Sequence, residues 1–146
     1  MVKVYTGSLR LLRLRQDPDL LDVTIKTGRR TFAPSWEIVM GHKRGVVSDE
    51  AYIRRYLAML RESYRRNRSE WEELLGRERV VLACYCVPGA RFCHRYILAE
   101  VLERLGAEMG QEIVAREASL SLLPIPRLAA PYLRPRSEGS TEIARS

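Results

Sequence analysis

Arg79-Val80-Val81-Leu82-Ala83-Cys84 is followed by the loop Tyr85-Cys86-Val87-Pro88-Gly89-Ala90-Arg91-Phe92 and then by Cys93-His94-Arg95, and this stretch decides how the chain folds. Its first six residues are an unbroken apolar run behind one arginine. Such a run suits a central strand covered on both faces. Pro88-Gly89 marks a turn. Ile97, Leu98, Val101, Leu102 and Leu105 then recur at helical spacing, with Gly106 at the usual C-terminal stop. A buried strand, a loop and an amphipathic helix in that order predict an α/β fold.

The flanking sequence extends the pattern. Val2-Lys3-Val4-Tyr5-Thr6 alternates and reads as a first strand, broken by Gly7-Ser8. Leu9, Leu11, Leu12 and Leu14 suggest a short helix ended by Asp17-Pro18, and Leu20 to Ile25 reads as a second buried strand. Pro34-Ser35 opens a helix that ends near Gly41, and Ser48 is a good N-cap for a longer one over 49–67. The apolar face of that longer helix is Tyr52, Ile53, Tyr56, Leu57 and Leu60, and its other side is rich in arginine. Ser69 and Glu72 have capping-box spacing for a further helix stopping at Gly76. Gln111 to Ala115 reads as a last strand. The expected architecture is a three-layer Rossmann-like domain with a mostly parallel sheet over residues 1–123. Pro124, Pro126, Pro131 and Pro135 predict an extended arm over 124–136, packed through Leu128, Tyr132 and Leu133, and residues 137–146 read as a disordered tail.

The chain has 146 residues, 46% of them hydrophobic, enough to bury a core without a disulfide framework. No apolar run approaches the roughly 18 residues of a membrane span. Three cysteines, an odd number, point to reduced thiols and a cytoplasmic setting. Composition thus excludes a membrane protein, a disulfide mini-protein and a wholly disordered chain. The net charge is +7, and Lys3, Lys26 and Lys43 are the only lysines, so the excess is nearly all guanidinium. Arginine forks onto phosphate, which points to nucleic acid, nucleotides or an acidic protein surface as partners. An arginine-rich proteome would give the same balance.

Ligands of open α/β sheets bind at the carboxyl ends of the strands, where this loop lies. Three readings compete for its residues. Cys93, beside a helix N-terminus that lowers a thiol pKa, is a nucleophile or redox thiol with His94 as its proton partner. Alternatively, Cys84, Cys86, Cys93 and His94 bind zinc, although C-x-C with an adjacent Cys-His pair is not a common structural zinc pattern. In the third reading the segment is an anion-binding corner, with Arg95 forked onto phosphate or carboxylate and the cysteines packed as small apolar residues. No metal and no cofactor is assigned. Thr6, Gly7 and Ser8 are expected on the same rim, where Gly7 would let a ligand approach the backbone. Asp22 and Lys26 join them from the second strand. Asp22 either pairs with an arginine such as Arg95 or with backbone N–H groups, or it serves as a ligand contact or general base. Cys86 completes the lining.

These residues resemble the bacterial, archaeal and phage domain-of-unknown-function family numbered 488. Its members open with a strand running into Tyr-Thr-Ile-Gly-His-Ser. They continue through a strand ending Asp-Val-Arg and an apolar strand ending Leu-Leu-Cys-x-Glu, to Cys-His-Arg at a helix start. The counterparts here are Tyr5-Thr6-Gly7-Ser8, Asp22-Val23-Thr24, Leu82-Ala83-Cys84-Tyr85-Cys86 and Cys93-His94-Arg95. Phe32-Ala33-Pro34-Ser35-Trp36 resembles a shorter branch met in phage and mobile-element genomes. The Ile and His of the first motif are absent, Thr24 replaces the Arg and Cys86 replaces the Glu, which puts any mechanism using that Glu as a base in question. The resemblance covers about residues 2–115. It implies a three-layer α/β fold with a pocket at the strand ends, and it brings no established reaction.

Two functional expectations follow. One is a domain that binds an anionic small molecule, a nucleotide or a nucleic-acid phosphate at that pocket, with Cys93 first in line for covalent or redox chemistry. The other is a phage-type interaction factor that binds a host machine, such as RNA polymerase or a defence protein, through its arginine face and proline-rich arm.

Overall fold

The computed structural model describes residues 2–133. In chain order its regular elements are β1 (Lys3–Ser8), α1 (Leu12–Arg15), β2 (Leu20–Asp22), α2 (Trp36–Lys43), α3 (Asp49–Arg66), α4 (Arg68–Leu75), β3 (Arg79–Cys84), α5 (His94–Glu108), β4 (Arg116–Glu117) and β5 (Leu123–Pro124). The sheet order is β2-β3-β1-β4-β5, parallel throughout except for the last pair. Ser8 lies opposite Cys84, Asp22 opposite Ala83 and Thr6 opposite Glu117, so four strands deliver their carboxyl ends to one rim. The chain is an α/β protein, as expected.

The hydrophobic pattern explains the packing. Val4, Val80, Leu82 and Cys84 share a core with Ile97, Leu98, Val101 and Leu102 of α5 and with Tyr56, Leu57 and Leu60 of α3. Each fully buried Leu or Ile contributes about 1.5–3 kcal/mol. Eleven of the fifteen residues of α5 are buried, which marks it as the central helix between the sheet and α3. On the other face Leu14 of α1 covers Gly7, where an added Cβ would meet Leu14 Cδ1 at 2.6 Å and Val81 Cγ1 at 3.4 Å. Ser35 and Ser48 cap α2 and α3 by accepting from the N–H groups of Ile38 and Ala51.

Several boundaries moved. β1 continues through Gly7 to Ser8, because Gly7 is a packing residue under Leu14 and not a turn. β2 stops at Asp22, where the Asp22 carboxylate accepts from the Thr24 N–H and turns the chain away. α4 begins at Arg68, with Asn67 and not Ser69 at its cap. α5 runs past Gly106, which packs closely on Ile113, to Glu108. The expected strand at 111–115 is absent, and pairing with β1 begins at Arg116. The N–H of Ala115 is held by Glu103 Oε2 of α5 at 2.7 Å, which keeps that backbone off the ladder.

The proline-rich segment packs on the domain as far as it is described. Leu123–Pro124 adds β5 antiparallel to β4, and Ile125 and Ala129 are buried. The Glu100 carboxylate accepts from the N–H groups of Leu128, Ala129 and Ala130 at 2.9, 2.8 and 3.0 Å. The expected tail at 137–146 lies outside the described residues. Among the described residues, no helix is long and apolar enough to cross a membrane.

Candidate functional site

Cys84 is the last residue of β3, and Cys93 is the N-cap of α5, the helix that packs on that strand. The intervening loop folds back through a hydrogen bond from Ala90 N–H to the Val87 carbonyl. Gly89 adopts a φ of 77°, which only glycine takes without strain. Phe92 stacks on His42 at 4.5 Å and meets Tyr52 edge-on, fixing the end of the loop. The result brings the sulfurs of Cys84, Cys86 and Cys93 within 4.8 Å of one another. The sulfurs of Cys84 and Cys93 lie 2.8 Å apart. Both are 2% exposed, while Cys86 is half-buried.

A buried guanidinium sits beside these sulfurs. Arg95 Nη1 lies 3.1 Å from Cys84 Sγ and 3.5 Å from Cys93 Sγ. Its Nη2 donates to Glu117 Oε2 at 2.8 Å, to the Tyr96 hydroxyl at 2.9 Å and to the Val87 carbonyl at 3.4 Å. Glu117 accepts in turn from the Thr6 hydroxyl at 2.5 Å. The Nε of Arg95 is buried without a hydrogen-bond partner among the described residues. Burial opposes the charge of Arg95, but the neighbouring sulfurs and Glu117 keep it protonated.

Electrostatics separates Cys86 from Cys93. Hydrogen bonds from Cys84 and Cys93 lower the Cys86 pKa to about 3, against the effect of burial and with help from the charges of Arg95 and Lys43. Burial, with neighbouring sulfurs, pushes Cys93 well above the ordinary thiol range. The helix start was expected to free the Cys93 thiolate, but desolvation outweighs it, and between Cys86 and Cys93 it is Cys86 whose thiolate is favoured. His94 Nε2 donates to the Val23 carbonyl at 2.7 Å, which leaves the Nδ1 lone pair 4.0 Å from Cys93 Sγ. Burial lowers the His94 pKa, so the ring is neutral at pH 7.

The remaining expected residues divide. Thr6 and Ser8 reach the rim but are buried and bonded internally, Ser8 through its N–H to the Ser119 hydroxyl at 2.7 Å. Gly7 faces Leu14, so its open side is filled by protein and not by a ligand. Asp22 does not pair with Arg95 but takes the other expected partner, a backbone N–H, that of Thr24 at 2.8 Å. Burial opposes its charge, but hydrogen bonds from Thr27 and Thr24 hold its pKa below the usual carboxylate range. Lys26 is exposed, with its ammonium 5.8 Å from the centre of the Trp36 ring. Two clefts lie away from this rim, one of about 230 Å³ between α5 and the 127–133 segment and one of about 210 Å³ beside Val2–Tyr5. Sequence reasoning missed Glu117 and Tyr96. Nothing local marks Glu117, whose partners lie 22 and 111 residues away.

A family model described as the active DUF488-N3 subclade matches residues 3–106, which spans every element from β1 to most of α5. No curated protein and no solved structure matches the chain.

Proposed function

The chain belongs to the domain-of-unknown-function family 488, and from that premise we propose that it binds an anionic ligand, a nucleotide or a nucleic-acid phosphate, and acts on it through cysteine chemistry at the carboxyl-end rim of the sheet. One observation carries this reading: three sulfurs gather beside a guanidinium with no exposure, and Cys86 alone of the three is open to solvent. Cys86 is the reacting thiolate. Cys93, with His94 as its proton partner, stands behind it, and Arg95 holds negative charge on the cluster. Thr6 and Ser8 shape the floor, Gly7 seats Leu14 of α1 behind it, and Asp22 and Lys26 border the approach from β2. The subclade label "active" supports an intact site. The setting proposed is cytoplasmic, where thiols stay reduced.

The test is alkylation of Cys86 by iodoacetamide with and without inorganic phosphate, a nucleoside monophosphate or a short RNA. Protection by one of them, weakening as salt rises, is expected. Reactivity without protection removes the anionic ligand, and an unreactive Cys86 removes the cysteine chemistry.

A second reading, a protein-binding factor of phage type, is favoured by the exposed apolar side chains Tyr85, Val87, Leu120, Leu122 and Leu123. Gly89 and Leu120 are close enough that an added Cβ would meet Leu120 Cδ1 at 3.2 Å, so loop and hairpin are neighbours. Native mass spectrometry of protein purified from its host decides: a stoichiometric protein partner lost in Tyr85→Ser and kept in Cys86→Ser selects this reading.

A further inference from the structure

We propose that the three cysteines form a thiol–disulfide relay, in which Cys86 is the solvent-side port that exchanges with a small-molecule disulfide and Cys84 and Cys93 are the buried pair on which the new disulfide comes to rest. The inference rests on Cys86 as the reacting group of the proposed function and adds a substrate class to it.

The distances favour a bond over a metal ion. Cys84 and Cys93 approach to 2.8 Å. Two thiolates on one tetrahedral ion stand roughly 3.8 Å apart, given a metal–sulfur bond of about 2.3 Å. The observed spacing is too short for both sulfurs to ligate one ion and brings them within reach of a mutual bond. The charge argues the same way, because the Arg95 guanidinium lies 3.1 Å from Cys84 Sγ and would repel a dication there. Burial then assigns the roles. An external disulfide cannot reach Cys84 or Cys93, each 2% exposed, whereas Cys86 is half-open and within 4.8 Å of both. A neutral imidazole nitrogen faces Cys93 at 4.0 Å as the proton acceptor, its ring fixed by the bond to Val23.

The exchange balances. The Cys86 thiolate attacks one sulfur of RSSR, breaking its S–S bond and releasing RS⁻. Cys93 gives its proton to His94 Nδ1 and attacks Cys86 Sγ, forming a Cys86–Cys93 disulfide and releasing the second RS⁻. Cys84 gives its proton to the second RS⁻ and attacks Cys93 Sγ, leaving the Cys84–Cys93 disulfide and returning Cys86 as thiolate, while the first RS⁻ takes the proton held on His94. The sum is RSSR plus two cysteine thiols giving one protein disulfide and two RSH, which carry away both protons. The cysteine pair is oxidised and RSSR is reduced.

The experiment treats reduced full-length protein with glutathione disulfide, quenches in acid, alkylates and maps peptides. Tryptic cleavage after Arg79, Arg91 and Arg95 places Cys84 and Cys86 in peptide 80–91 and Cys93 in peptide 92–95. Further cleavage after Tyr85 separates Cys84 from Cys86. The expected product is a Cys84–Cys93 link with Cys86 alkylated. Cys86→Ser, shown by circular dichroism to fold, or Cys86→Ala in its place, should form that link roughly tenfold or more slowly. Formation at the wild-type rate without Cys86 overturns the relay. Glutathione stalled on Cys86 with no Cys84–Cys93 link also overturns it, while leaving the proposed function standing. A Cys86 that takes neither glutathione nor iodoacetamide sinks both. A stoichiometric zinc ion on the reduced protein, lost in Cys86→Ser and blocking the link, overturns the relay in favour of a thiolate metal site.

Discussion

Arg95 and Glu117 meet at 2.8 Å with side chains 0% and 3% exposed, and this ion pair is the charged floor beneath the three sulfurs. Removing one partner leaves the other charge buried and uncompensated. Arg95→Met is therefore expected to cost about 3–5 kcal/mol. Adding Glu117→Leu to that variant should cost less than the sum of the two single changes, since the pair is lost as a unit. Urea unfolding of the two single variants and the double variant checks this, and strict additivity would show that the two side chains are not coupled.

Cys86 sets a pH dependence. Its pKa falls from the ordinary 9.0 to about 3 on folding. A group depressed in this way stabilises the fold fully above its unfolded pKa and loses that contribution as pH falls toward its folded pKa. Wild type should thus lose its stability advantage over Cys86→Ser progressively between pH 9 and pH 3, as followed by urea midpoints. Over the middle of that range the iodoacetamide rate at Cys86 should stay flat, where an ordinary thiol speeds up about tenfold per pH unit. A rate at Cys86 that climbs like that of a free thiol would refute the depressed value.

Glu100 anchors the C-terminal segment through three backbone N–H groups at residues 128–130. Glu100→Ala orphans all three donors, and the buried one, at Ala129, costs about 1–3 kcal/mol unless the segment lifts off into water. Lifting off is the expected outcome, read as faster tryptic cleavage after Arg127. Glu100→Gln retains one acceptor oxygen and should cleave at an intermediate rate. Equal cleavage in all three proteins would show that Ile125 and Ala129 hold the segment unaided.

Two glycines near the rim differ in what surrounds them. An added Cβ at Gly28 would collide with the Thr24 carbonyl oxygen and lie 2.8 Å from that of Asp22, both backbone atoms. At Gly7 the nearest obstacle is the tip of the Leu14 side chain. Gly28→Ala should therefore destabilise more than Gly7→Ala, by about 1 kcal/mol or more, because a leucine tip can rotate and a backbone turn cannot. Thermal unfolding of the two variants gives the order directly.

The elements legible in the sequence were those whose signal is local. The apolar run at 79–84, the helical spacing from Tyr52 to Leu60 and the caps at Ser35 and Ser48 depend on neighbours a few residues away, and the structure has them where expected. Legibility failed where distant residues decide. Gln111 to Ala115 has strand-like composition, but Glu103 takes the Ala115 N–H and Gly106 takes the side chain of Ile113. The convergence of Thr6, Asp22 and the Cys93-His94-Arg95 tripeptide on one rim followed from topology alone. The role of Arg95 did not, because Glu117, which comes 22 residues later, becomes its partner only once β4 is seated beside β1.

Pro124 sits opposite Arg116 in the outermost strand of the sheet. Proline has no amide hydrogen, and the strand it belongs to is two residues long. A foreign β-segment approaching that border finds neither a donor at this position nor the length needed for a stable ladder. The arm thus terminates the hydrogen-bonding front of the domain. Deleting it would uncover β4, strip Ile125 and Ala129 from the core and invite self-association.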